Sequence, residues 1–189
     1  MKNCVELSVS IARELADNLA HVDTESVDAL IDEILKANRI FCAGCGRSLL
    51  MIRGLAMRLM HLGLTSYVVG ETVTPAILPG DLLIVGSGSG ETGSLTVMAR
   101  KTKKIGARMT VITIYPESTL GTLADVVVHI PGTTGKHAKD GSVQSVQPGG
   151  NMFEQSMLLL GDALSMCVAE RGGLQMSDEA IMKLHANLE

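Results

Sequence analysis

At 189 residues, 46% of them hydrophobic, the chain is long enough for one domain with an ordinary buried core. Trp is absent and Phe and Tyr number two each, so the core must be aliphatic and methionine-filled, with no aromatic platform for stacking bases or sugar rings. A net charge of −4 without a Lys or Arg block argues against nucleic acid, and the lack of a bilayer-length apolar run or leader-like start predicts a soluble, cytosolic protein with no membrane contact.

Apolar residues recur at helical spacing over 4–20 and 24–37, with Asp23 or Thr24 as N-cap of the second segment. The period then changes. Ile40-Phe41-Cys42-Ala43 reads as a short strand, followed by Gly44-Cys45-Gly46-Arg47 and a helix from Ser48 to Leu62, stopped by Gly63. Tyr67-Val68-Val69 is a second strand, 72–79 a polar loop bounded by proline, and 82–85 a third strand. A helix over 94–105 stops at Gly106, 109–114 is the fourth strand, 118–123 a short helix and 126–130 the fifth strand. Residues 131–150 are polar and irregular, either a solvated loop or a lid or subunit contact. Helical patterns resume over 152–171 and 177–185.

Strands alternating with helices predict an α/β fold with a five-stranded parallel sheet covered on both faces. The division is N-terminal helices over 4–37, an α/β core over 39–130, and C-terminal helices over 152–185. In a doubly wound sheet, ligands bind beyond the C-terminal ends of the strands, where both glycine-rich loops fall. The helices 48–62 and 152–171 are apolar on more sides than one sheet face needs, which predicts a homo-oligomer. On the first of them, Arg53, Arg58 and His61 mark a narrow polar side.

The run Gly86-Ser87-Gly88-Ser89-Gly90-Glu91-Thr92-Gly93-Ser94 carries the most chemical information. Its glycines let successive N–H groups converge, its hydroxyls add donors, and the following helix adds the positive end of its dipole; such a loop suits a phosphate. Thr92-Gly93 stands where a nucleotide-hydrolysing loop needs Gly-Lys, and Leu49 stands where a dinucleotide loop needs a third glycine. A small phosphorylated metabolite is the ligand class that remains.

Glu154 opens a strongly apolar helix, and two readings of it stand side by side. Asn151-Met152-Phe153-Glu154 is a capping-box pattern, with Asn151 as N-cap and Glu154 reaching back to a backbone N–H. Spacing alone favours that role, but a buried carboxylate beside apolar Phe153 would also have its pKa raised towards the range useful in proton transfer. Arg47, in the first glycine loop, is placed to meet a phosphate or polarise a substrate oxygen. His61 and His185 are the histidine candidates for acid–base work. No His/Asp/Glu spacing suits a metal, so chemistry without metal or cofactor is expected. Cys4 and Cys167 read as packed thiols within helices, and Cys42 and Cys45, a lone CxxC, as packing rather than redox or metal chemistry.

Taken together, Gly44-Cys45-Gly46-Arg47-Ser48, Met57-Arg58-Leu59-Met60-His61-Leu62-Gly63, Val69-Gly70-Glu71-Thr72, Gly86 to Thr92 and Phe153-Glu154-Gln155 resemble the sugar isomerase (SIS) domain. Within it they are similar to the 6-phospho-3-hexuloisomerases, from the N-terminal helices to His185-Ala186-Asn187-Leu188-Glu189. The resemblance implies a three-layer α-β-α sandwich of flavodoxin-like topology, a homotetramer, and interconversion of 3-hexulose 6-phosphate and fructose 6-phosphate in the ribulose monophosphate route. It implies substrate contacts from Gly44, Arg47 and Ser48, phosphate binding across Ser87, Gly88, Ser89, Gly90, Glu91 and Thr92, Glu154 as proton acceptor and His185 as a second catalytic group. Cys45, Leu49 and Gly149-Gly150-Asn151 depart from the family's pattern close to the sugar. An aldose–ketose isomerase or a non-catalytic sugar-phosphate sensor are the alternatives that this resemblance leaves.

Overall fold

Ile40–Gly44 (β1), Ser66–Val68 (β2), Leu82–Gly86 (β3), Arg108–Thr113 (β4) and Val126–His129 (β5) form one parallel sheet, ordered β2-β1-β3-β4-β5, in a computed structural model. The structure describes residues 3–134 and 145–188; the middle of the irregular stretch expected over 131–150, and Glu189, lie outside the described residues. β3 is buried at every position, as a central parallel strand must be, which is why its sequence is a continuous apolar run.

Seven helices are described: Cys4–Leu19 (α1), Thr24–Lys36 (α2), Gly46–His61 (α3), Gly93–Ile105 (α4), Thr119–Leu123 (α5), Asn151–Gly172 (α6) and Asp178–Leu184 (α7). They divide the core in two. Leu30 and Ile34 of α2, Ile52 and Leu59 of α3, and Phe153 and Leu164 of α6 pack on one sheet face around Cys42, Ile84 and Ile112. Leu95 and Ala99 of α4 and Leu120 of α5 pack on the other, around Phe41, Leu83, Val85 and Val111. Alternate residues of each strand thus serve opposite layers, and the result is the expected α/β three-layer sandwich. Among the described residues, no helix is long and apolar enough to cross a membrane.

Local chemistry sets the element ends. Asp23 caps α2 by accepting from Ser26 N, and Gly106, at φ +86°, ends α4. α3 begins at Gly46, two residues ahead of the expected start, because Gly46 at φ +57° lets the chain turn from strand to helix directly after β1.

Some side chains depart from expectation. Cys4 and Cys167 are exposed rather than packed, since both lie on outward sides of their helices, and Cys45 is exposed where the chain leaves β1. Cys42 does pack, and burial pushes its thiol up to about 12, far from a reactive thiolate. The narrow polar side expected on α3 is divided. Arg53 reaches Glu71 at 3.5 Å and Arg58 reaches Asp162 of α6 at 3.2 Å, whereas His61 is buried.

The loop after β3 is fastened from below by α5. Gly90 N donates to Ser87 O and Ser87 Oγ, both at 3.2 Å, and Leu120 N donates to Gly90 O at 3.0 Å. A Cβ on Gly90 would lie 1.9 Å from Ser118 Oγ, and its φ is +63°. Gly90→Ala should therefore cost about 2–4 kcal/mol in denaturant unfolding. Gly93→Ala, with open space around the added methyl, should stay within about 0.5 kcal/mol of the parent.

Candidate active site

In the parallel register Gly44 pairs with Gly86, so β1 and β3 end side by side. The loops that leave them bound a cavity of about 250 Å³. Ser48 of α3, the backbone and hydroxyls of Ser87, Gly88 and Ser89, and Thr92 at the start of α4 form one side; Gly150, Phe153 and Glu154 of α6 close the other.

The capping pattern of the helices shows which kind of ligand the cavity suits. α1, α2, α5 and α7 are each capped by a side chain, from Asn3, Asp23, Ser118 and Ser177. α3, α4 and α6, with Cys45, Thr92 and Gly150 as N-caps, have no side-chain cap, and all three N-caps line the cavity. Each helix start carries N–H groups without intrahelical partners and a partial positive charge. Three such ends converging on one space make a strong anion site. The hydroxyls fit the same purpose. Ser87 Oγ accepts from Gly90 N at 3.2 Å and Ser89 Oγ from Glu91 N at 3.3 Å, so each oxygen is held while its proton can turn to a ligand.

The absence of a side-chain cap on α6 also removes the capping reading of Glu154. The N-cap is Gly150, not Asn151, and the Glu154 carboxylate does not close a capping box. Its Oε2 instead meets Arg47 Nε at 2.8 Å; the Glu154 side chain is 15% exposed and that of Arg47 49%. Burial raises the Glu154 pKa above its ordinary value of 4.5, against the opposing pull of the Arg47 guanidinium.

The other expected site residues divide. Ser48, Ser87, Gly88, Ser89 and Thr92 line the cavity with Glu154. Gly44 lies beneath it, where a Cβ would come within 3.0 Å of the Leu49 backbone, so it permits the close turn. Gly90 and Glu91 do not line it. Gly90 faces Ser118, and Glu91 Oε1 accepts from Thr119 N at 2.7 Å, turned towards α5. His185 is not near its own cavity either. It stacks on His61, ring centroids 5.4 Å apart and planes 14° apart, at the far end of α3. A 16-residue helix puts that end about 24 Å from the cavity. Burial lowers the His61 pKa, and His185 and Arg58 lower it further.

Thr134 and Leu95 are wall residues that sequence reasoning did not single out. Leu95 is recognisable only as a helical core position. Thr134 sits in an irregular stretch without any periodic signal. Among the described residues, no group of three or more His, Cys, Asp or Glu side chains is arranged to hold a metal ion.

Comparison with known proteins agrees with this geometry. Residues 33–158 match the SIS domain. The chain is 44% identical to the 3-hexulose-6-phosphate isomerase of Bacillus subtilis, over 97% of this chain and 98% of that protein. It is 43% identical to the 3-hexulose-6-phosphate isomerase of Mycobacterium gastri, over 96% and 90%. A Methanococcus jannaschii crystal structure, from which a molecular function of 3-hexulose-6-phosphate isomerase has been inferred, superposes with a TM-score of 0.80 at 33% identity, covering 95% and 97%.

An anion site built this way should be measurable without any sugar. Inorganic phosphate should raise the melting temperature, with a rise that continues logarithmically with concentration above Kd. Ser87→Ala and Thr92→Val should each weaken phosphate binding by about 1.5–3 kcal/mol, the range for a hydrogen bond to a charged group, as read by calorimetry.

Proposed function

We propose that this chain, which belongs to the SIS domain family, is a phosphosugar isomerase that interconverts 3-hexulose 6-phosphate and fructose 6-phosphate. The observation that carries the reading is the position of Glu154, the one carboxylate among the described cavity-lining residues, across from an anion cradle. The relatives named for this reaction extend over nearly the full chain. We read residues 1–189 accordingly as a single SIS domain.

The reaction follows from that placement. The phosphate binds among the uncapped helix starts and the Ser87–Thr92 loop, and its binding energy fixes the sugar carbons. With the carbonyl at C3, Glu154 removes the C2 proton. The C2–H electron pair forms the C2=C3 bond while O3 gains a proton, giving the enediol. Return of the proton from Glu154 to C3, with loss of the O2 proton, leaves the carbonyl at C2. One carboxylate on one face of the planar intermediate serves both transfers. Arg47 and loop N–H groups steady the charge on the enediolate oxygens.

A carboxylate accepts a proton only when ionised. Burial places the Glu154 pKa above 4.5, so activity should decline on acidification at a higher pH than an ordinary glutamate would impose.

His185 and the assembly belong to the same proposal. Leu50, Met57 and Met60 of α3 and Leu158, Leu159 and Met166 of α6 are large apolar side chains left exposed on two packed helices. This supports a homo-oligomer, and by the family's habit a tetramer, with His185 serving a neighbouring subunit's cavity rather than its own.

Glu154→Gln should lower turnover of fructose 6-phosphate by about 10²–10⁴-fold or more while inorganic phosphate still binds; near-normal turnover would remove Glu154 from the mechanism. The parent protein should keep its rate after exhaustive chelation. Thermal stabilisation by phosphosugars with turnover of none would return the sensor reading. Met57→Glu tests the assembly. It should yield smaller species in analytical ultracentrifugation and lower kcat/KM, because a charge cannot be buried unpaired at a subunit contact.

A further inference from the structure

We propose that Arg47 exchanges partners during the catalytic cycle, resting on the Glu154 carboxylate in the unliganded protein and moving to the oxygens of the substrate as the phosphosugar enters. This rests on the reading of Glu154 as the base and adds what governs its availability.

The resting pair is explained by charge. Arg47 is the second residue of α3, at the positive end of the helix, where a cation is disfavoured. The starts of α4 and α6 bring further positive ends to the same cavity. Glu154, 2.8 Å away, is the anion that compensates them when no ligand is present. Among the described lining residues, Cys45 is the only other titratable group, and Glu91 is turned to Thr119.

A pair in that arrangement is unsuited to proton abstraction. Oε2 directs its lone pairs at Arg47 Nε, and the adjacent cation makes the carboxylate a weaker base. A phosphosugar dianion alters the balance. It occupies the helix starts, so the carboxylate is no longer needed as their counter-charge and is repelled by the newcomer. Arg47, with half its side chain exposed, has room to swing towards the sugar. One movement then does two things: it frees the Glu154 lone pairs for the carbon-bound proton, and it brings a guanidinium to the oxygen where enediolate charge develops.

The exchange can be tested by binding alone. If Arg47 must leave Glu154 for the sugar, Glu154→Gln should bind fructose 6-phosphate more tightly than the parent, by about two- to fivefold for a partly exposed ion pair. That gain should be clearly smaller when Arg47→Gln is already present, where only the carboxylate's repulsion of the dianion is relieved. An undiminished gain in the Arg47→Gln background, or no gain at all, overturns the exchange. The pH profiles add a kinetic readout. Arg47→Gln should move the acid limb of kcat/KM to higher pH, since the free carboxylate loses its cation, but leave the acid limb of kcat in place, with Arg47→Lys restoring the first. Equal movement of both limbs means that the pair survives in the complex and overturns the proposal. The substrate phosphate titrates identically in every variant, so differences between variants belong to the protein. Failure of Glu154 as base would appear separately, as turnover retained in Glu154→Gln.

Discussion

The pairing of Gly44 with Gly86 at the ends of two neighbouring strands is the constraint on which the rest of the site depends. Both chains must turn sharply there. A Cβ on Gly44 would meet the backbone of Leu49 at 3.0 Å, and one on Gly86 would meet Met157 Sδ at 2.8 Å. Without side chains at these two positions, α3 and α6 can close over the strand ends and bring their starts to the same point as that of α4. Anything larger would separate the helix ends and dilute the anion site they form.

The distribution of caps shows the same division of labour. A side-chain cap stabilises a helix start by about 1 kcal/mol. Four helices of this fold have one, and the three that open on the cavity do not. Leaving those N–H groups without a side-chain cap gives up some stability and leaves them open to an anion. The resting Arg47–Glu154 pair lies in the same field. It is best understood as a response to the convergence of positive ends, not as a contact that holds the fold together, since an exposed guanidinium contributes little to stability.

The sheet and its layers were legible in the sequence because fully buried strands are continuous apolar runs and the intervening helices have 3.6-residue periodicity. The β1 and β3 loops were legible for a related reason: glycine and hydroxyl residues concentrated after a strand have few other uses. What escaped was information that depends on direction in space. The spacing of Asn151 and Glu154 satisfies a capping box, yet the helix begins one residue earlier than that box requires and the carboxylate turns to Arg47. His61 looks like part of a polar side on α3, but the long descent of α3 places it beneath α7, against His185. Glu91, within the phosphate-loop run, spends its carboxylate on the start of α5. Thr134 has no local pattern that would single it out.

α3 connects these separate observations. Its first turn supplies Ser48 to the cavity and Arg47 to the Glu154 carboxylate, its middle meets α6 where Gly54 lies against Leu158, and its last turn carries the His61 stacked on His185. α6 in turn carries Glu154 in its first turn and leaves Leu159 and Met166 exposed further along. The distance between the Glu154 carboxylate and the Arg47 guanidinium is therefore set by how two helices pack over a sheet, not by either loop alone. Because the exposed apolar residues lie on those same two helices, a subunit docked there would brace the packing that positions Glu154 against Arg47. Assembly and proton transfer would then depend on a single helix pair.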